Sequence, residues 1–259
     1  MPKNLIIGVV QQPNSLNWKK NFKQAILSIN KFSHKKVDVV CFQEAFLSGY
    51  HPEVITYYFD EIDWYLERVK EHAYKKKTCV VIPTLNKIGK HCYSAVYVFN
   101  SDHGDSVIYK KGLTPSEKLV LKPKSSRRKF KVNGSELGVL ICREMEDKPY
   151  SYFKKDKMPD LVLWPSYWGW QYKSKWGPIK FSDGKKDKCH QLISKIKKPL
   201  VQINMCSTFG KKPNSIDKFG KSVFVNSDNK KIGVGAYGKE DHILVHFDGK
   251  KLREVESLN

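Results

Sequence analysis

Short continuous apolar runs alternate along this chain with stretches in which apolar residues recur every three or four positions. Residues 5–11 form the first run and predict a strand. Ser15 is the expected cap of the helix that follows. There Trp18, Phe22, Ala25, Ile26, Ile29 and Phe32 share one face. Residues 37–42 are apolar apart from Asp38, as in a strand buried on both sides, and end at Gln43-Glu44. A polar and aromatic loop covers 45–52. A second amphipathic helix is expected over 60–77, with Ile62, Leu66, Val69 and Ala73 inward, and a buried strand over 79–85.

The pattern then changes. Residues 91–100 and 106–111 read as two strands separated by Ser101 to Asp105, hence a hairpin, which makes the sheet mixed. Residues 112–128 lack a clean period, contain two prolines and read as a loop. Segments 130–132 and 137–142 form a second hairpin around Asn133-Gly134, a strong turn signal. A short helix is expected over 149–157 and a strand over 161–165. An aromatic-rich loop follows, with Trp164, Tyr167, Trp168, Trp170, Tyr172 and Trp176. A helix at 187–197 and strands at 200–205, 221–225 and 242–247 close the chain. No repeat or linker interrupts it. Residues 1–259 therefore read as one α/β domain in which sheet packs on sheet and helices lie outside.

Composition narrows the function classes. The apolar share of 40% supports a packed core. No apolar run reaches the ~18 residues of a membrane span, and the N-terminal run is too short for a secretory signal. A cytoplasmic protein without membrane contact is expected. None of the six cysteines forms a C-x-x-C pair, so zinc is not implied and reduced thiols are expected. The net charge of +21 attracts nucleic acid or anionic membranes in general. However, the lysines are spread along the whole chain, and lysine far outnumbers arginine, the preferred base reader. Specific nucleic-acid binding is not expected.

Three strand ends hold reactive groups: Glu44, Lys111 and Cys142. A thiol nucleophile needs a base, and a buried carboxylate of raised pKa can serve. A nearby cation lowers the thiol pKa and stabilises an oxyanion. On that logic Cys142 has a depressed pKa and alkylates faster than the other cysteines. Each residue also has a plainer reading. Cys142 could be a core thiol, Glu44 a solvated carboxylate, Lys111 one of many surface lysines and Glu117 a helix-start residue or plain loop charge. The apolar lead-in Gly138 to Ile141 and the charged Arg143 and Glu144 after Cys142 suit either reading.

Taken together, three segments resemble the nitrilase superfamily of carbon-nitrogen hydrolases. Gln-Glu-Ala-Phe-Leu-Ser-Gly-Tyr at 43–50 resembles its first motif, Tyr-Lys-Lys-Gly-Leu-Thr-Pro at 109–115 its lysine motif, and Gly-Val-Leu-Ile-Cys-Arg-Glu at 138–144 its cysteine motif. Residues 159–166 and 220–230 resemble later strands of the family, in the same order. The resemblance implies a four-layer α-β-β-α sandwich with two mixed sheets, paired into homodimers or larger homo-oligomers. It implies that Cys142 attacks an amide, carbamoyl or nitrile carbon, with Glu44 as general base. Lys111 and the backbone N–H of Arg143 would hold the oxyanion, and Glu117 would orient substrate and water. No metal or organic cofactor is implied. Tyr50 and Trp168, in the two aromatic loops, are the candidate substrate contacts. Amide or N-carbamoyl hydrolysis fits best, with nitrile hydrolysis or acyl transfer as alternatives within the family. A catalytically silent basic binding protein is the alternative outside it.

Two features depart from the family pattern. Glu144 stands where many amidase-type members have aspartate, and Cys189-His190-Gln191 replaces a common helical signature. His51 and His190 receive no role.

Overall fold

The computed structural model describes residues 4–13, 15–50, 61–146, 149–153, 158–167, 193, 195–206 and 221–258. Two sheets dominate. The first contains β1 (Leu5–Gln11), β2 (Val39–Phe42), β3 (Cys79–Ile88), β4 (His91–Phe99), β5 (Ser106–Tyr109), β12 (Asp241–Phe247) and β13 (Leu252–Ser257), in the order β13-β12-β1-β2-β3-β4-β5. The second contains β6 (Lys129–Val132), β7 (Ser135–Val139), β8 (Leu161–Ser166), β9 (Leu200–Asn204), β10 (Val223–Val225) and β11 (Lys231–Val234), in the order β11-β10-β9-β8-β7-β6. Both are mixed. β1, β2 and β3 run parallel, as do β7, β8 and β9, while the β3–β4, β4–β5 and β6–β7 pairs are antiparallel hairpins.

The two-residue period of the strands sorts side chains into layers. Leu5, Ile7 and Val9 of β1 and Val39 and Cys41 of β2 meet Leu137 and Val139 of β7, Leu161 and Leu163 of β8, and Val201 and Ile203 of β9 in one core between the sheets. The alternate residues face outward. Val10, Val40, Phe42, Val80 and Ile82 pack under helices α1 (Trp18–Ser33) and α2 (Ile62–Lys76). Val162, Trp164, Leu200, Val223 and Val225 pack against Phe153, Ile193 and Ile196 on the far side of the second sheet. The layering is α-β-β-α, as the sequence implied, and continuous apolar runs were needed because both faces of each central strand are covered.

Close approach fixes one small residue. A Cβ on Gly138 would lie 2.6 Å from Pro159 Cγ and 2.8 Å from Phe153 Cε1, so the strand leading to Cys142 packs against these rings only with glycine there.

Several expectations need correction. The cap of α1 is Asn17, whose side chain accepts from the Lys20 N–H; Ser15 instead accepts from the Asn17 N–H. The stretch read as loop over 112–128 contains a helical turn, α3 (Glu117–Val120), and Leu121 bridges to Cys92 of β4. β11 and β13 were not anticipated. β13 is short of apolar residues because it is an edge strand, with only Leu252 and the half-buried Val255 facing inward. β7 ends at Val139, and Cys142 lies beyond it in a 3-10 turn, Cys142–Met145. Positions 193 and 195–197 of the helix expected at 187–197 are described; 193, 195 and 196 are helical, and Lys197 leaves the helix in a left-handed conformation (φ +49°).

Candidate active site

The ends of β2, β5 and β7 deliver three chain segments to one place. The turn after β2 brings Glu44, which is buried and followed by Ala45 in a left-handed conformation (φ +50°). The turn after β7 brings Cys142, itself left-handed at φ +44° and partly exposed. Non-glycine residues at positive φ cost energy and recur where a site dictates the backbone. The Cys142 carbonyl is held by the indole N–H of Trp164 at 2.9 Å, and its thiol points to the Tyr167 carbonyl at 4.0 Å.

The cation that reaches these groups is Lys110, not Lys111. Lys110 continues the β4–β5 ladder, its N–H donating to the Ser94 carbonyl at 2.8 Å. It therefore shares the strand face of Ile108, which is wholly buried between the sheets. Lys111 falls on the opposite face with Tyr109, and its side chain is exposed. The strand parity Ile108–Lys110 was present in the sequence; taking the last lysine of the run as the strand end obscured it.

Lys110 Nζ donates 2.7 Å bonds to both Glu44 Oε1 and Glu117 Oε1, and all three side chains are fully buried. Burial opposes its charge, but Glu44, Cys142 and Glu117 outweigh that and hold its pKa well above the ordinary value. Two of its three N–H donors are thus committed, which leaves one for a ligand. Glu117 opens α3. It also accepts from the Tyr50 hydroxyl at 2.8 Å and the Thr114 N–H at 2.7 Å. Burial would push it up, yet Lys110 and these hydrogen bonds hold its pKa below the usual carboxylate value. The Tyr50 ring packs on Tyr167 with centroids 4.9 Å apart, which joins the described edges of the two aromatic loops.

Glu44 differs from Glu117. Its pKa is raised, chiefly by burial, with Lys110 pulling the other way. Its Oε2 is buried without a hydrogen-bond partner, while Cys142 lies close enough for each to perturb the other. The Cys142 thiol is also pushed well above its ordinary value, by burial first and then by Glu44, against the lowering effect of Lys110. This reverses the expected depression.

Arg143 follows Cys142 in the 3-10 turn and is partly exposed. N–H groups in the first turn of a helix have no intrahelical acceptor, which is what the predicted oxyanion role of its backbone requires. Trp168, His51 and His190 lie outside the described residues. Among the described residues no group of three or more His, Cys, Asp or Glu side chains is placed to hold a metal ion, and the five described cysteines are free thiols.

Glu144 was the residue the sequence explained least. It is fully buried and forms a two-pronged ion pair with Arg128, at 2.5 and 2.8 Å. It also accepts from the backbone N–H groups of Lys111, Gly112 and Ile141.

This fold and this grouping of a thiol, two carboxylates and a buried lysine place the chain among the α-β-β-α hydrolase-like sandwiches. The family model described as carbon-nitrogen hydrolase matches residues 6–256, and the chain belongs to that family. Compared with curated protein sequences, it matches none. Solved structures share the fold at low identity. The glutamine-dependent NAD+ synthetase of Acinetobacter baumannii superposes with a TM-score of 0.77 at 19% identity, covering 99% of this chain. This chain spans about half of that one, 48%. An amidase from Nesterenkonia sp. superposes at 0.76 with 15% identity, covering 96% of this chain and 92% of its own. A carbon-nitrogen hydrolase from Helicobacter pylori G27 gives 0.71 at 18% identity, with coverages of 95% and 89%. No helix among the described residues is long and apolar enough to cross a membrane.

Proposed function

We propose that the chain is one hydrolase domain that cleaves the carbon-nitrogen bond of a small amide or N-carbamoyl compound through a thioester on Cys142. The observation that supports this reading most is the buried Lys110, bonded to both Glu44 and Glu117 and coupled to Cys142. In this reading Cys142 Sγ attacks the carbonyl carbon while its proton passes to Glu44 Oε2. The oxyanion takes the free N–H of Lys110 and the backbone N–H of Arg143. Collapse breaks the C–N bond, and the Glu44 proton goes to the departing ammonia or amine. Water, giving a proton to Glu44, then attacks the thioester; the acid leaves and the thiol regains the proton. Glu117 and Tyr50 hold Lys110 and orient the substrate and water. The raised pKa of Glu44 suits a group that accepts and returns one proton per half-reaction.

The test is a screen of small amides, N-carbamoyl compounds and nitriles for released ammonia, with Cys142→Ala as control. Hydrolysis of an amide or N-carbamoyl compound that is abolished in Cys142→Ala is the expected result. Turnover that survives the substitution would sink the reading, and activity confined to nitriles would shift it to that branch.

The same reading includes homo-oligomers formed through the α1 and α2 layer, where Leu27 and Trp64 remain exposed, and a reducing compartment. Light scattering on the purified chain checks the first; a monomer at micromolar concentration would refute it.

A further inference from the structure

Lys110 and Cys142 are on different sheets, and burial alone does not fix their separation. We propose that Glu144 is the positioning residue that sets it, an inference that rests on the roles given above to Glu44, Lys110 and Cys142. Its Oε1 accepts from the N–H groups of Lys111 (2.7 Å) and Gly112 (3.2 Å) and from Arg128 Nη2 (2.8 Å). Its Oε2 accepts from the Ile141 N–H (2.8 Å) and Arg128 Nη1 (2.5 Å). One oxygen thus grips the segment leaving Lys110, and the other grips the residue before Cys142. Arg128 closes the fork from behind, its guanidinium 5.0 Å from the centre of the Tyr152 ring. A carboxylate is needed because all five partners are donors. An amide has one acceptor oxygen, so in Glu144→Gln the NH2 group faces donors on one side and must release either the lysine segment or the cysteine turn.

The consequence is chemical as well as mechanical. Lys110 lowers the pKa of both Glu44 and Cys142 against the effect of burial. If the lysine segment slackens, both rise. Glu144→Gln is therefore expected to lower kcat by ~100-fold, the scale of one lost oxyanion donor, with KM within ~3-fold. The acid limb of kcat/KM should move to higher pH, because Glu44 then takes up its proton earlier. A purely structural residue would lower the unfolding temperature and leave the acid limb of the folded fraction in place.

The experiment measures kcat, KM and the acid limb for wild type, Glu144→Gln and Arg128→Lys, with near-ultraviolet circular dichroism reporting the folded fraction. The lysine keeps the charge and loses the fork, so a smaller change of the same sign is expected. Wild-type kcat and an unmoved acid limb in either folded variant overturn the proposal, and Arg128→Lys decides it if Glu144→Gln does not fold. Iodoacetamide alkylation of Cys142 against pH, read by mass spectrometry, separates this inference from the assigned activity. If wild type hydrolyses no substrate, an alkylation curve shifted to higher pH in Glu144→Gln supports positioning, and an unshifted curve overturns it.

Discussion

Substituting Lys110 and Lys111 separately tests the site at its most specific point. The two side chains are adjacent in sequence and on opposite strand faces, one fully buried and one exposed. In Lys110→Met the Glu44 and Glu117 oxygens, each 2.7 Å from the missing nitrogen, remain buried with no cation between them. They lie within about 5.4 Å of each other, where two charges at an effective dielectric of 20 repel by about 3 kcal/mol. That is more than a hundredfold bias toward protonating one of them, and Glu44 is the carboxylate whose pKa is already raised. Loss of the oxyanion donor costs a further ~10²–10³ in kcat. We expect kcat/KM to fall at least ~10³-fold in Lys110→Met, and the unfolding temperature to fall by about 10 °C, since breaking a buried ion pair costs ~3–5 kcal/mol. Lys111→Met should stay within ~2-fold, because only the backbone of that residue is engaged. The assay is ammonia release on the best substrate found, together with calorimetry. Equal damage from the two substitutions, or more than a tenth of wild-type activity in Lys110→Met, would refute the assignment.

Other outcomes follow from the same geometry. With Glu44 as the proposed base and its pKa above the ordinary 4.5, the acid limb of kcat/KM should fall above that value; a limb below it, in a pH-rate profile, would contradict the base assignment. Glu117 acts on stability with the opposite sign. Its folded pKa lies below 4.5, so its contribution is full above that value and is lost as pH falls through the folded pKa. The stability difference between wild type and Glu117→Gln in urea titrations should accordingly shrink below pH 4.5. Tyr50→Phe removes the 2.8 Å bond to Glu117 and is expected to cost about 1–2 kcal/mol, seen as a roughly tenfold drop in kcat/KM with little change in alkylation of Cys142. Gly138→Ala places a methyl 2.6 Å from Pro159 Cγ and should destabilise the chain by about 1–3 kcal/mol in urea titration.

Much of the architecture was legible because each local signal agreed with its neighbours. Apolar runs marked the double-covered strands β1, β2, β3 and β8, three- and four-residue spacing marked α1 and α2, and Asn133-Gly134 marked the β6–β7 turn, where both residues take positive φ. The motifs singled out Glu44, Glu117 and Cys142, which the fold gathers around Lys110. What sequence could not supply was decided by register and packing. Edge strands β11 and β13 carry too few apolar residues to announce themselves. The choice between Lys110 and Lys111 rests on which face of β5 meets the other sheet, a matter of pleat rather than of composition. The direction of the Cys142 pKa depends on burial and on Glu44, which lies 98 residues earlier in the chain. Glu144, opaque in sequence, is explained by partners at Lys111, Gly112, Arg128 and Ile141, which only the folded chain gathers around one carboxylate. Glu44, Glu117 and Cys142 were thus marked by local sequence, while the choice of Lys110, and the distances and charges of all four groups, came from the packing of one sheet on the other.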